Sequence, residues 1–144
     1  MKLLSIAIPC YNSEAYMAKN ALIPCWWEER MWKSLWWMTD LQTEPQRSQT
    51  YMQKKYPTIV KAIHQENGGH GEAVNAGIRN ATGLYFKVVD SDDWVNAEAY
   101  AQILKTLEEL IRGSETVDLL ISNFVYEKQG AKRKRVCSTG TVFL

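Results

Sequence analysis

A chain of 144 residues with a formal net charge of +1 is long enough for one domain with a real core, and its charge balance excludes an electrostatic case for nucleic acid. Its three cysteines, Cys10, Cys25 and Cys137, have no metal-ligand spacing and are odd in number, which points to free thiols in a reducing compartment. No run approaches the roughly 18 apolar residues of a membrane span, and Pro9 interrupts the start too early for a signal peptide, so a soluble, cytoplasmic protein is the expectation.

Residues 3–8 (LLSIAI) read as a buried first strand that Pro9 ends. Residues 10–14 then form a turn into a helix, with Asn12 or Ser13 as its N-cap. A strand–turn–helix junction explains the Pro, Asn and Ser, and leaves Tyr11 and Glu14 unexplained. Residues 58–64 (TIVKAIH) are another short strand, followed by the turn Asn67-Gly68-Gly69-His70-Gly71 and a helical segment over 72–80. A glycine-rich turn before a helix can present backbone N–H groups to an anion. Taken by itself, the turn is read as an ordinary loop in preference to an anion site, and His70 as an exposed loop histidine in preference to a ligand contact.

The run Tyr85, Phe86, Val88, Val89 fits a buried strand and stops at three carboxylates, Asp90, Asp92 and Asp93. Carboxylates at the C-terminal end of such a strand lie where open α/β sheets place ligands. Crowded carboxylates repel, and a hard divalent cation is one reason to keep them ionised together. The other reading is an exposed acidic turn that caps the next helix. Asn96 caps that helix, Tyr100, Ile103, Leu104, Leu107 and Ile111 follow its 3.6-residue period, and Gly113 closes it. Residues 117–125 read as a further strand, and the basic run 132–135 as a solvated hairpin or loop in preference to a membrane-surface patch. The alternation of strands and helices predicts an α/β class with a mainly parallel sheet flanked by helices.

Three stretches, in this order, resemble the nucleotide-sugar-dependent glycosyltransferases of family 2, which have the Rossmann-like GT-A fold. The first holds Pro9, Tyr11, Asn12 and Glu14, similar to that family's P-x-Y-N-x-E loop. The second is the spacing Asn67, Gly69, Ala73, Asn75, Gly77, Ala81, Gly83. The third, Val88-Val89-Asp90-Ser91-Asp92-Asp93-Trp94, looks like the family's D-x-D motif. Val74 departs from the pattern, because the family often has a basic residue there.

The resemblance implies a metal-dependent transfer of sugar from a nucleotide-diphosphate donor to an acceptor hydroxyl with inversion. It implies Mg²⁺ or Mn²⁺ held by Asp90 and Asp92, and donor contacts from Pro9, Tyr11, Asn12, Glu14, Asn67, Gly69, Asn75, Asp90 and Ser91. A UDP-sugar is the first expectation for the donor, and a glycan, lipid-linked or other hydroxyl compound for the acceptor. Peripheral association with the inner face of a membrane is compatible with such an acceptor. The resemblance covers about residues 1–19 and 53–128. It makes residues 1–144 the N-terminal, donor-binding part of one truncated GT-A domain, so the catalytic base is expected beyond Leu144. An inactive, nucleotide-sugar-binding relic is the alternative. A phosphatase with Asp90 as nucleophile is a further one, disfavoured by the spacing from Asn67 to Gly83.

Residues 20–52 do not fit. The family has a second strand here, ending in an acidic D-D-G-S-x-D loop, whereas five of the six tryptophans of this chain lie between residues 26 and 37. Residues 25–38 could form an amphipathic membrane helix, but their tryptophans do not share one face. Trp and Met have single codons, so a change of frame is almost deterministic there. When the third base of each codon is joined to the next two, Trp36-Trp37 gives Val, Trp37-Met38 Asp and Met38-Thr39 Asp. Codons for Thr39 to Thr43 then permit Gly, Ser, Thr and Asp. The shifted text is V-D-D-G-S-T-D, the missing loop, and both Lys19-Asn20 and Gln53-Lys54-Lys55 can be encoded by adenine runs where a base is lost or gained. The hypothesis is that residues 20–52 are an out-of-frame translation; the printed block is then expected to replace an inner strand and to impair folding and donor binding. Resequencing the gene across both lysine sites is expected to find one adenine lost and one gained. Adenine counts that keep the printed frame, with a matching intact mass, would set the hypothesis aside.

Overall fold

The computed structural model describes residues 2–10, 32–38, 50, 53–114, 117–127 and 135–138, and for 32–38 the main chain only. Two units divide the chain, Met1–Glu108 and Glu109–Leu144. In the first, four parallel strands form one sheet in the order β3-β2-β1-β4. They are β1 (Lys2–Cys10), β2 (Trp32–Met38), β3 (Val60–His64) and β4 (Gly83–Val88). Helix α1 (Gly69–Asn80) links β3 to β4, and α2 (Ala97–Arg112) follows β4. Both fold class and the mainly parallel sheet are as the sequence predicts.

Strand β1 is central and is buried from Leu3 to Cys10. A strand covered on both faces needs a continuous apolar run, which LLSIAI supplies. On one face Ala7 packs with Ala73 and Ala76 of α1, joined by Ile63, Ala81, Phe86 and Val88. On the other, Leu4, Ile6 and Ile8 are equally buried. Pro9 does not end β1, as expected from sequence, but lies within it. The β4 ladder reaches only Ala7↔Val88, with a last bond from the Val89 N–H to the Ala7 carbonyl (2.9 Å), so the donor that proline lacks is missing where that pairing has already stopped.

The block expected to delete an inner strand supplies one in its printed form. Trp32–Met38 pairs with β1 from Leu4↔Trp32 to Cys10↔Met38, and with β3 from Ser34↔Val60 to Met38↔His64. Ladder hydrogen bonds use main-chain groups alone, and tryptophan is a good strand former, so pairing tolerates side chains that the family does not use. The membrane-helix reading of 25–38 fails over Trp32–Met38 for the same reason.

Smaller differences have local causes. Strand β3 starts at Val60, because the Ile59 and Val60 N–H groups both bond to the Tyr56 carbonyl and close a turn. Helix α1 starts at Gly69, three residues before the predicted segment. Asn96 caps α2 as predicted, its Oδ1 accepting the Ala99 N–H at 2.9 Å, and Tyr100, Leu104 and Leu107 are its buried stripe. In the second unit β5 (Phe124–Tyr126) and β6 (Arg135–Cys137) pair antiparallel. Only the last two residues of the strand predicted over 117–125 belong to β5. Leu119 and Ile121 are exposed, without the packing that favours a strand.

Between α1 and β4 the chain is held by one hydroxyl. The Ser5 side chain is fully buried, and its Oγ accepts the N–H groups of Thr82 (3.1 Å) and Gly83 (2.9 Å). At Gly83 a Cβ would stand 2.6 Å from the Leu4 carbonyl carbon and the Ser5 nitrogen, both main-chain atoms. Ser5→Ala, which removes the buried acceptor of two part-buried main-chain donors, is expected to cost about 1–2 kcal/mol in urea denaturation, and Gly83→Ala at least as much. A loss below about 0.5 kcal/mol for both variants, the range of a neutral surface change, would contradict this role.

Candidate functional site

All four parallel strands end at one edge, where Cys10, Met38 and His64 stand in one register row. That edge opens a cleft of about 400 Å³ lined by Pro9, Cys10, Asn67, Gly69, His70, Ala73, Asp90, Ser91 and Asp92. Three connections of the sheet therefore supply it: the end of β1, the β3–α1 turn with the first turns of α1, and the chain leaving β4.

On the β3–α1 side, Asn67 Oδ1 accepts the Gly69 N–H at 3.0 Å. Gly69 has φ of 82°, a left-handed conformation that favours glycine. The two together start α1 at Gly69 and place His70 in its first turn. His70 Nε2 lies 3.0 Å from Asp90 Oδ1. An ionised carboxylate only accepts, so the imidazole N–H donates. On the β4 side the Asp93 N–H bonds to the Asp90 carbonyl at 3.0 Å, folding Asp90 to Asp93 into a tight turn that leaves Asp90, Asp92 and Asp93 exposed. Partial burial and then the charges of Asp92 and Asp90 push the Asp93 carboxyl above the usual range, with Lys87 opposing them. The turn is short of positive charge.

Of the residues expected to bind donor or cation, Pro9, Asn67, Gly69, Asp90, Ser91 and Asp92 meet in this cleft. Asn75 does not line it. It is exposed, and its Nδ2 donates to Glu72 Oε2 at 3.4 Å. Arg79 first and Asn75 second hold the Glu72 carboxyl below its ordinary range. Tyr11, Asn12 and Glu14 lie outside the described residues, as do Lys132, Arg133 and Lys134 of the basic run. Sequence reasoning passed over Cys10 and Ala73 as lining residues, and weighed His70 as a ligand contact without choosing it. Cys10 is a buried thiol bonded to the Ile8 carbonyl, 3.2 Å away. The further signal for His70 was its spacing, three residues before buried Ala73 and seven before buried Gly77, on one helical stripe.

Among the described residues, no three His, Cys, Asp or Glu side chains converge on a ready-made cation cage. Two exposed carboxylates in one open cleft still suit a divalent cation of the Mg²⁺ type, which keeps waters and takes one or two carboxylates plus substrate phosphates.

The sequence model of glycosyl transferase family 2 matches residues 44–131, more than half of the chain. The chain belongs to that family. Membership sets the phosphatase alternative aside. The match overlaps the end of the 20–52 block and leaves the tryptophan-rich part and β1 outside. EpsH of Bacillus subtilis, named as a glycosyltransferase, is 43% identical over 73 residues, 51% of this chain and 20% of that protein. Glycosyltransferase GlyG of Streptococcus pneumoniae is 36% identical over 66 residues, 45% of this chain and 20% of its own. This chain thus spans a fifth of each of these relatives. Among solved structures, S. aureus TarS 1-349 in complex with UDP superposes with a TM-score of 0.63 at 24% identity, over 76% of this chain and 32% of that one. TarS 1-349 has also been solved in complex with UDP-GlcNAc, with a TM-score of 0.62. These superpositions establish the GT-A type of fold. No helix among the described residues is long and apolar enough to cross a membrane.

Proposed function

We propose that this chain is the donor-binding part of a metal-dependent, inverting glycosyltransferase that takes its sugar from a nucleotide-diphosphate donor, a UDP-sugar first. One observation carries the proposal: the cleft at the strand ends of a family 2 sheet gathers Asp90, Ser91 and Asp92 opposite Pro9, Asn67 and Gly69. TarS, with the same fold, is the protein seen with UDP and UDP-GlcNAc, which supports that class of donor.

Asp90 and Asp92 would hold Mg²⁺ or Mn²⁺. Such a cation supplies charge that balances a leaving diphosphate. Asn67 and Gly69 hold the β3–α1 turn open on the phosphate side, and Ser91 offers a hydroxyl beside the carboxylates. Pro9 walls the base side, where the resemblance assigns Tyr11, Asn12 and Glu14. The proton of the acceptor hydroxyl needs a base, which the resemblance leads one to expect in the acceptor half of a full-length relative. That base, and the glycan, lipid-linked or other hydroxyl acceptor, are assigned to the remaining four-fifths of a full-length relative. Work at the inner face of a membrane, as a peripheral protein, fits such an acceptor.

A second reading, an inactive relic whose donor binding is weakened, is favoured by the block before residue 44. The shifted text puts its two aspartates where β2 ends at Met38, in register with Cys10 and His64 on the ligand edge. The chain has Trp37 and Met38 there, so among the described residues the carboxylates that line the cleft come only from the segment after β4.

Thermal shift with UDP-, GDP- and dTDP-sugars, with and without Mn²⁺, tests the proposal. A UDP-sugar at 100 times its dissociation constant is expected to add about 2.7 kcal/mol of stability, only with the cation present, and Asp92→Ala is expected to abolish the gain. No cation-dependent shift, with Asp92→Ala indistinguishable from the parent chain, would sink donor binding.

A further inference from the structure

The cleft is acidic by its lining. Asp90 and Asp92 contribute two carboxylates, and no lysine or arginine lines it. Among its lining side chains, N–H donors come from Asn67 and His70 only. Val74, one turn beyond His70 on α1, is the position where the resemblance leads one to expect a basic side chain. A diphosphate leaving group carries more negative charge than one divalent cation shared with two carboxylates can balance.

We propose that His70 takes over the phosphate contact that Val74 cannot make, and is a donor-diphosphate ligand of this chain. The proposal rests on the donor reading above. The imidazole N–H donates to Asp90 Oδ1, 3.0 Å away. The side chains are 65% and 53% exposed, so the pair is screened by solvent and cheap to give up. His70 Nδ1 has no hydrogen-bond partner among the described residues. The Gly69 turn and the Asn67 bond set the main chain from which His70 lines the cleft. When a cation engages Asp90, the imidazole hydrogen turns to a phosphate oxygen of the incoming donor. No bond is made or broken beyond hydrogen bonds.

Calorimetric titration of the full chain with MnCl₂ alone, with Mn²⁺ and inorganic pyrophosphate, and with Mn²⁺ and UDP separates the roles. Pyrophosphate isolates the diphosphate contact from the base side. His70→Ala is expected to weaken pyrophosphate and UDP alike by roughly tenfold, about the worth of one charge-assisted hydrogen bond, and to leave Mn²⁺ alone no weaker. His70→Gln, which keeps an N–H donor, is expected to recover most of that loss. A fall in affinity for Mn²⁺ alone would show instead that His70 positions Asp90, and equal affinities in His70→Ala and the parent would show a mere surface pair; either result overturns the proposal. Failure of the parent chain to bind pyrophosphate or UDP with Mn²⁺ would overturn the donor reading itself, and this one with it.

Discussion

Parallel pairing around β1 is the constraint on which the rest of this molecule depends. Parallel strands share a direction, so their C-terminal ends lie at one edge and every connection from that edge starts beside the others. β1 can occupy the centre because it is apolar throughout, and because Ala7 leaves room for the close approach of Ala73 and Ala76. The same pairing brings Ser5 under the Thr82 and Gly83 N–H groups and fixes where β4 begins. Once that start is fixed, six residues of β4 deliver Asp90 to the edge where Pro9 and Cys10 end β1. The site follows from strand register.

Electrostatics at this edge are unbalanced. The Asp90 to Asp93 turn concentrates three carboxylates, and the raised Asp93 carboxyl reflects partial burial and the repulsion of its neighbours. His70 is the one nitrogen base that reaches the turn from α1 among the described residues. A cation and a diphosphate have opposite charges, so taken together they would change that balance less than either alone. This is the physical reason to read the cation, the imidazole and the phosphate as one unit.

Much of the fold was legible because it is written locally. A continuous apolar run announced β1, and the 3.6-residue stripe with Asn96 announced α2. An apolar strand breaking into carboxylates announced Asp90 and Asp92. Three features escaped such patterns. Helix α1 starts earlier than its periodicity shows, because the left-handed Gly69 and the Asn67 bond set its first turn, and His70 thereby moved from a loop to the cleft. Asn75 shares a spacing with residues that face the sheet, yet its own helical position points it away, to Glu72. The β2 strand is set by main-chain pairing to neighbours on both sides, and side-chain pattern in residues 32–38 could not reveal it. The base-side carboxylates that the resemblance leads one to expect are a different matter: the amino-acid sequence does not contain them at this place, and the frame-shift hypothesis for Trp36 to Thr43 is the proposal that would supply them.

The central claim is that the β4 strand end is a divalent-cation site within the cleft. Paramagnetic broadening of amide signals by substoichiometric Mn²⁺ measures it most directly, because the effect falls steeply with distance from the ion. The account predicts that the amides of Asp90 to Asp93, together with His70 and Cys10, vanish first, while those of the acidic stretch Glu108-Glu109 on α2 persist. Preferential loss at Glu108 and Glu109, or an even decline across the chain, would contradict it.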